Sequence, residues 1–429
     1  MTTVAEPQDW TTAQKIAFRF FFVLFILYVF FEPNGVLPFS DKLSAIYLKP
    51  FITFIPWLGA HVLHLAKPVV IMQTGSGDTT YDYLILLFIT VISTVTAAIW
   101  SITGRNTKHY NKLFYWLCVI VRYYVAITMV VYGSVKVVKL QFPAPSLGRL
   151  LEPLGNMSPM ALAWTYMGHS VAFNYFTGMA EISCGLLLFF RRTTTLGAIM
   201  GVVVAGNIMA INYCFDVPVK LLATMLVVMS VFLLFRDYRR LTNFFFKNAD
   251  APASNLSPHR FKTRWKNVTL TVFKYLLVAY VVIGDLISAY QGGQQYGENA
   301  KKPAFYGIYN VQYFVRGRDT LPPLTTDSTR WNKLLIGNYG NATVKLMNDS
   351  TRNYNFKADT VKHLFTLYTD ADTVHKTRIA YTKLKNNTYL LSYKGAKDSI
   401  HVKMVKFDLN KFTLLNRGFH WVNEFPYVK

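Results

Sequence analysis

Ionisable side chains inside long apolar runs are costly to hold in hydrocarbon, so each is a candidate for function. Two stand deepest. Arg122 lies about nine residues into its run, and Glu181 lies about ten residues before the pair Arg191-Arg192. At ~1.5 Å per residue both reach ~15 Å from the same membrane face. On neighbouring antiparallel helices this spacing predicts a buried Arg122–Glu181 ion pair near the midplane. Such a pair could hydrogen-bond a developing oxyanion or relay a proton. It could equally do no more than fix helix register.

The faces of the helices extend this site. Arg122, Ala126, Met129, Gly133 and Lys136 fall on one helical stripe, Gly178, Glu181 and Gly185 on a second, and Gly197, Gly201 and Ala205 on a third. Small residues on such stripes let backbones approach, so these faces should point into a bundle. Lys136, Lys139, Asn207, Asn212, Asp216 and Lys220 lie farther out, towards an external mouth. The candidate intramembrane polar site is therefore Arg122, Lys136, Glu181, Asn207, Asn212 and Asp216. Cys118, Cys184 and Cys214 read as small packing residues, because their spacing gives neither a disulfide framework nor a metal pattern. His61 and His64 stand beside Trp57 as interfacial residues rather than ligands. Gly75-Ser76-Gly77 lies in a loop, without the strand and helix that a phosphate cradle needs. No nucleophile–base set, zinc motif or dinucleotide fingerprint accompanies these residues, so no catalytic residue is named and no metal site is expected.

The elements that must position the site are membrane helices. Of the 429 residues 52% are hydrophobic and 16% charged, richer in apolar and poorer in charged residues than ordinary soluble domains. Seven apolar runs near the ~20 residues needed to cross a bilayer occupy approximately 15–32, 82–102, 113–138, 170–190, 194–214, 218–235 and 267–288. The first is the weakest, since Arg19 interrupts it and must snorkel to the head groups. It is read as a retained anchor, because Glu32-Pro33-Asn34-Gly35 follows instead of a cleavage site. Residues 42–66 are apolar but broken by Pro50 and Pro56, which predicts an interfacial or re-entrant segment.

Seven spans place the basic loops around Arg105, Arg191 and Arg236–Lys266 on one side, which the positive-inside rule makes cytoplasmic. The net charge of +23 fits that pattern and anionic head groups. Nucleic acid is not expected as a partner, because no recognition motif accompanies the charge. The loop 139–169 is then external. Within it Ser158-Pro159 opens a short helix expected to lie on the membrane face and roof the bundle.

From about residue 303 short alternating runs such as Thr343–Met347, Tyr389–Tyr393 and Ile400–Val405 are punctuated by Asn348-Asp349, Asn386-Asn387 and Lys394-Gly395. They predict an antiparallel β-meander, barrel or sandwich. It is similar to lipocalin-like barrels, which enclose one apolar ligand; a filled core is the reading that barrel size prefers. The fold class is thus a mainly α transmembrane bundle plus a C-terminal antiparallel β domain. The expected organisation is an N-terminal membrane segment (1–112), a four-helix core (113–236), a basic cytoplasmic loop (237–266), a last transmembrane helix (267–290) and an extracytoplasmic β-rich domain (295–429).

The core resembles the DoxX family of four-helix membrane proteins between about Leu113 and Phe235. The resemblance is carried by Arg122-Tyr123-Tyr124 with Gly133-Ser134-Val135-Lys136, by Thr177–Glu181 with Gly185–Leu188, by Arg191–Thr194 and by Asn207. It implies redox-associated work in a bacterial inner membrane, with a quinone or other lipophilic molecule held against Arg122, Lys136, Glu181 and Asn207. The extra spans before the core and the β domain after it depart from the simple family pattern. The alternative is a non-enzymatic scaffold, carrier or accessory protein whose external β domain binds a lipid or a periplasmic partner. Enzymatic activity itself is left open.

Overall fold

The computed structural model describes residues 9–34, 40–71, 74–254, 256, 261–395 and 398–428. They form two units, a helical one of 1–138 with 172–289 and a second of 139–171 with 290–429.

The helical unit opens with α1 (Thr12–Phe31), started by a capping box in which Thr11 and Gln14 satisfy each other's backbone N–H. The broken segment 42–66 forms α2 (Ser40–Tyr47) and α3 (Lys49–His61), with Pro50 at the start of α3 and Pro56 inside it. Thr79 and Asp82 make a second capping box at the start of α4 (Thr80–Thr103). Next comes α5 (Asn111–Val137), whose buried face makes it the axis of the unit. Arg19 does not snorkel. It is buried, donating to Tyr110 Oη (2.9 and 3.1 Å), to Ser101 Oγ (2.8 Å) and to the Gly104 carbonyl (3.0 Å) at the end of α4. The cation is satisfied inside the protein, so the weakest apolar run is tied to its neighbour by the residue that interrupts it.

The excursion 139–171 contains α6 (Leu147–Leu150) and α7 (Pro159–His169), the latter capped by Ser158 Oγ accepting from Ala161 N–H as expected. It groups with the β domain, and not with the four-helix core (113–236) that the sequence predicts to contain it. Leu147 is buried against Ile308 and Leu335 of the strands, with Leu151 and Phe412 beside it. Five more helices then follow: α8 (Val171–Phe189), α9 (Thr194–Cys214), α10 (Lys220–Phe235), the short α11 (Tyr238–Phe245) and α12 (Arg264–Tyr296).

Six of the described helices are long and apolar enough to cross a membrane alone, and α10 is not one of them. It is 16 residues or ~24 Å long. Its chain then turns by 82° into α11, whose polar and apolar faces suit a helix lying in the interface. Counting that bent pair as one span gives seven among the described residues.

The β domain is a closed antiparallel barrel. Its strands are β1 (Gly307–Arg316), a two-residue β2 (Asp319–Thr320) hung on β1, β3 (Trp331–Ile336), β4 (Asn341–Leu346), β5 (Thr351–Asp359), β6 (Leu364–Thr369), β7 (Asp372–Lys383), β8 (Thr388–Lys394) and β9 (Ser399–Lys406). Successive strands pair, and β9 returns to β1 from Tyr309↔Lys406 to Arg316↔Ile400, so eight strands close the ring. Asn386 and Asn387 both have positive φ (57° and 53°), the conformation that a tight two-residue hairpin requires. Alternate side chains point inward as the sequence predicts. They surround Phe305, whose ring lies 4.9 Å from Phe365, 5.0 Å from Tyr381 and 6.0 Å from Tyr389. Eight strands leave an interior about wide enough for side chains, and here aromatic rings occupy it.

Candidate functional site

The site is built on α5 and on the glycines that let α8 approach it. A Cβ on Gly133 would stand 2.7 Å from the Gly178 carbonyl oxygen, and one on Gly185 would stand 2.5 Å from that of Ala126. Both contacts belong to one antiparallel register. In that register Glu181 is level with Val130, while Arg122 is level with Phe189, eight residues or ~12 Å farther along the axis. The expected Arg122–Glu181 pair therefore does not form.

Glu181 instead pairs with Lys136 through Nζ and Oε1, both residues being buried. The direction of helical side chains explains the exchange. They tilt towards the N-terminus of their own helix, so Lys136, near the end of α5, projects back down to the level of Glu181. Arg122, nearer the start of α5, tilts the same way and so reaches past Phe189 to the α8–α9 turn, where Nη1 donates to Thr194 Oγ1 at 3.3 Å. The second carboxylate oxygen of Glu181, Oε2, and Ser134 Oγ of α5 are buried with no hydrogen-bond partner among the described residues.

The other expected site residues do not converge on it. Asn207 is exposed on α9. Asn212 is buried, but its Nδ2 donates to the Val219 carbonyl (2.9 Å) and holds the α9–α10 turn. Asp216 is exposed in that turn with φ of 51° and pairs with Lys220 at 2.9 Å. Lys139 belongs to the other unit, where it pairs with Glu298 at 2.6 Å. Cys118 and Cys184 are buried, with Cys184 Sγ 3.4 Å from the Gly197 carbonyl, and Cys214 is exposed. His61 stacks on Trp57 (5.3 Å) with Nδ1 3.0 Å from the Trp57 carbonyl, which suits an interfacial residue.

Sequence reasoning missed two positioning residues. Asp78, just after Gly75-Ser76-Gly77, accepts from the backbone N–H of Lys220 (2.7 Å) and Leu221 (3.0 Å), capping α10 from a distant loop. Asp237 lies at the α10–α11 bend and accepts from Thr195 Oγ1 (2.6 Å), Ser254 Oγ (3.0 Å) and Arg240 (3.4 Å). Burial pushes the Asp237 carboxyl up, but the Thr195 hydrogen bond, Arg236, Ser254 and Arg240 together outweigh it and hold it below the usual carboxylate range. Neither aspartate lies in an apolar helical run, so no hydropathy signal marked it.

What Arg122 does reach is a cleft of about 1150 Å³ along α5, bounded by α1, α2, the Arg191 turn and the first half of α12. Ile26, Val29, Ile120, Ile127 and Leu277 make its walls largely apolar. Arg122 is 4% exposed, its guanidinium lies 5.3 Å from the Tyr123 ring, and its Nε is buried without a hydrogen-bond partner among the described residues. The cleft can therefore take an apolar body and offer it one unsatisfied hydrogen-bond donor.

No protein-family model matches the chain, and no solved structure matches it. It is 36% identical over 126 residues to the uncharacterized protein YwoB of Bacillus subtilis (strain 168), a stretch covering 29% of this chain and 79% of YwoB. The chain thus shares most of the length of a smaller relative, and it belongs to the YwoB family.

Proposed function

We propose that this protein binds a lipophilic molecule with a polar head in the cleft beside α5, as a membrane carrier or accessory protein. The single observation that carries the reading is Arg122, a buried cation with a free Nε, opening into an apolar cleft. A buried donor left unsatisfied costs ~1–3 kcal/mol, and a ligand acceptor removes that cost. The DoxX-like resemblance of residues 113–235 suggests a quinone as one such molecule, with Arg122 donating to a ring oxygen. A catalytic redox role draws less support from the geometry. Glu181, the group that would relay a proton, is engaged by Lys136 on another level of the bundle.

The basic loops support a bacterial inner-membrane setting with the N-terminus cytoplasmic and the barrel outside. A protein partner for the barrel unit is the second reading, favoured by the exposed rings of Phe419, Trp421 and Phe425 after β9.

The test is mass spectrometry of lipophiles retained by protein purified from its own membrane in mild detergent. Wild type should retain one defined molecule in near-stoichiometric amount, and Arg122→Ala should lose it while eluting as the same monodisperse species. Equal retention by both proteins, or bulk phospholipid alone in wild type, would overturn the assignment.

A further inference from the structure

The cleft is chemically asymmetric along its length. Arg122, Arg191, Arg264 and Lys274 all line it, and among the described residues its lining contains no carboxylate. Among the described residues none of the four is in a salt bridge. Aromatic faces stand where acids would be expected. The Arg191 guanidinium lies 5.2 Å from the Tyr115 ring and donates to its hydroxyl, and Lys274 Nζ lies 5.0 Å from the Phe190 ring. Arg122, Arg191 and Lys274 are close enough to feel one another's charge. Arg191 Nη1, like Arg122 Nε, is buried without a hydrogen-bond partner among the described residues.

Like charges gathered in a low-dielectric site repel, and aromatic faces offset this by only ~0.5–2 kcal/mol each. An anion removes the repulsion and takes both free donors. Its position follows from the topology. α5 and α12 both start at the membrane face that carries the Arg191 turn, and their side chains tilt towards their N-termini. Arg122 and Lys274 therefore aim at the same end of the cleft as Arg191. The apolar remainder, with Ile26, Val29 and Phe30 of α1 and Ile127 of α5, runs the other way. From Tyr115 to Ile127 the α5 wall is ~18 Å long, close to the ~15 Å hydrocarbon thickness of one leaflet.

We infer that the ligand is an anionic lipid, its phosphate held by Arg122, Arg191 and Lys274 and its acyl chain lying along α5 towards Ile127. The inference rests on the cleft reading above and narrows it, because four uncompensated cations fit a phosphate better than a neutral quinone ring. Guanidinium groups suit it, since they bind phosphate oxygens through paired N–H donors.

The test uses the delipidated full chain and native mass spectrometry, titrating dioleoyl phosphatidylglycerol and dioleoyl phosphatidylcholine separately. Inorganic phosphate is added as a competitor. The phosphatidylglycerol should bind at one site at least about tenfold more tightly than the phosphatidylcholine, and loss of one charge-assisted contact should weaken it about tenfold or more. Arg122→Gln and Lys274→Gln should each show that loss, Arg122→Lys should recover part of it, and Lys247→Gln, on the exposed basic loop, should change nothing. Thermal unfolding of each variant separates loss of binding from loss of fold, and Lys274→Gln, on a lightly buried helix, keeps the test open if Arg122→Gln unfolds. Equal binding of the two lipids, sensitive to Ile120→Trp in the cleft, would overturn the anionic head and leave the cleft reading standing. Binding of neither lipid would overturn both. Displacement by millimolar inorganic phosphate would assign the site to a free anion and overturn the lipid.

Discussion

The Lys136–Glu181 pair can be broken from either side, and the consequences separate it from the pairing that residue spacing suggests. Lys136→Met leaves the Glu181 carboxyl, 1% exposed, without the cation that pairs with it. Removing one member of a buried pair typically costs about 3–5 kcal/mol, whereas replacing both with apolar residues of similar size is often neutral. The double variant Lys136→Met/Glu181→Leu should therefore stand well above the sum of its parts, with a coupling energy of about 3 kcal/mol. Arg122 is ~12 Å away along the helix register, so Arg122→Met and Glu181→Leu should be additive within about 0.5 kcal/mol. The assay is reversible unfolding in mixed micelles, measured for both cycles under one set of conditions. Additivity of Lys136 with Glu181, or strong coupling of Arg122 with Glu181, would refute the register deduced from the glycines.

Other substitutions test other parts of the architecture. Gly185→Leu drives a side chain into the Ala126 carbonyl, 2.5 Å from its Cβ position. It should lower the unfolding temperature far more than Gly206→Leu, where a Cβ meets nothing within 4 Å. Asp237 is held below its ordinary pKa, so its contribution is present above the unfolded carboxylate value and is lost as pH falls through the lower folded one. Asp237→Asn should destabilise the bundle at pH 7, and the gap from wild type should close below about pH 4. Phe305→Ala empties the centre of the barrel and should cost about 3–5 kcal/mol, seen as loss of the barrel's own unfolding transition by calorimetry while the helical signal persists.

Much of this fold is legible in the sequence because hydrocarbon imposes one pattern on every span. The expected runs 113–138 and 194–214 match α5 and α9 to within two residues, and paired asparagines mark the Asn386–Asn387 hairpin. Hydropathy fixes where helices are, but not how far one slides along another. That depends on local contacts such as Gly133 on Gly178, and on the backward tilt of Lys136, which lets a residue at the end of α5 reach the middle of α8. Counting depth from charged loops therefore paired the wrong cation with Glu181. Asn207 was misplaced for a related reason, since stripes of small residues identify one face of a helix and leave the polar residue on another face unassigned. Grouping of the excursion 139–171 with the barrel depends on contacts such as Leu147 with Ile308, which join segments more than a hundred residues apart and leave no local periodicity.

The most direct test of the cleft is chemical capture inside the native membrane. A photo-reactive amino acid replacing Ile120 in the cleft is compared with one replacing Val203, on the exposed face of α9. After irradiation, Ile120 should carry one defined lipophile that depends on Arg122, and Val203 should carry the mixed lipids of the bilayer. The same mixture at both positions would show that the cleft is ordinary lipid-facing surface and contradict the account.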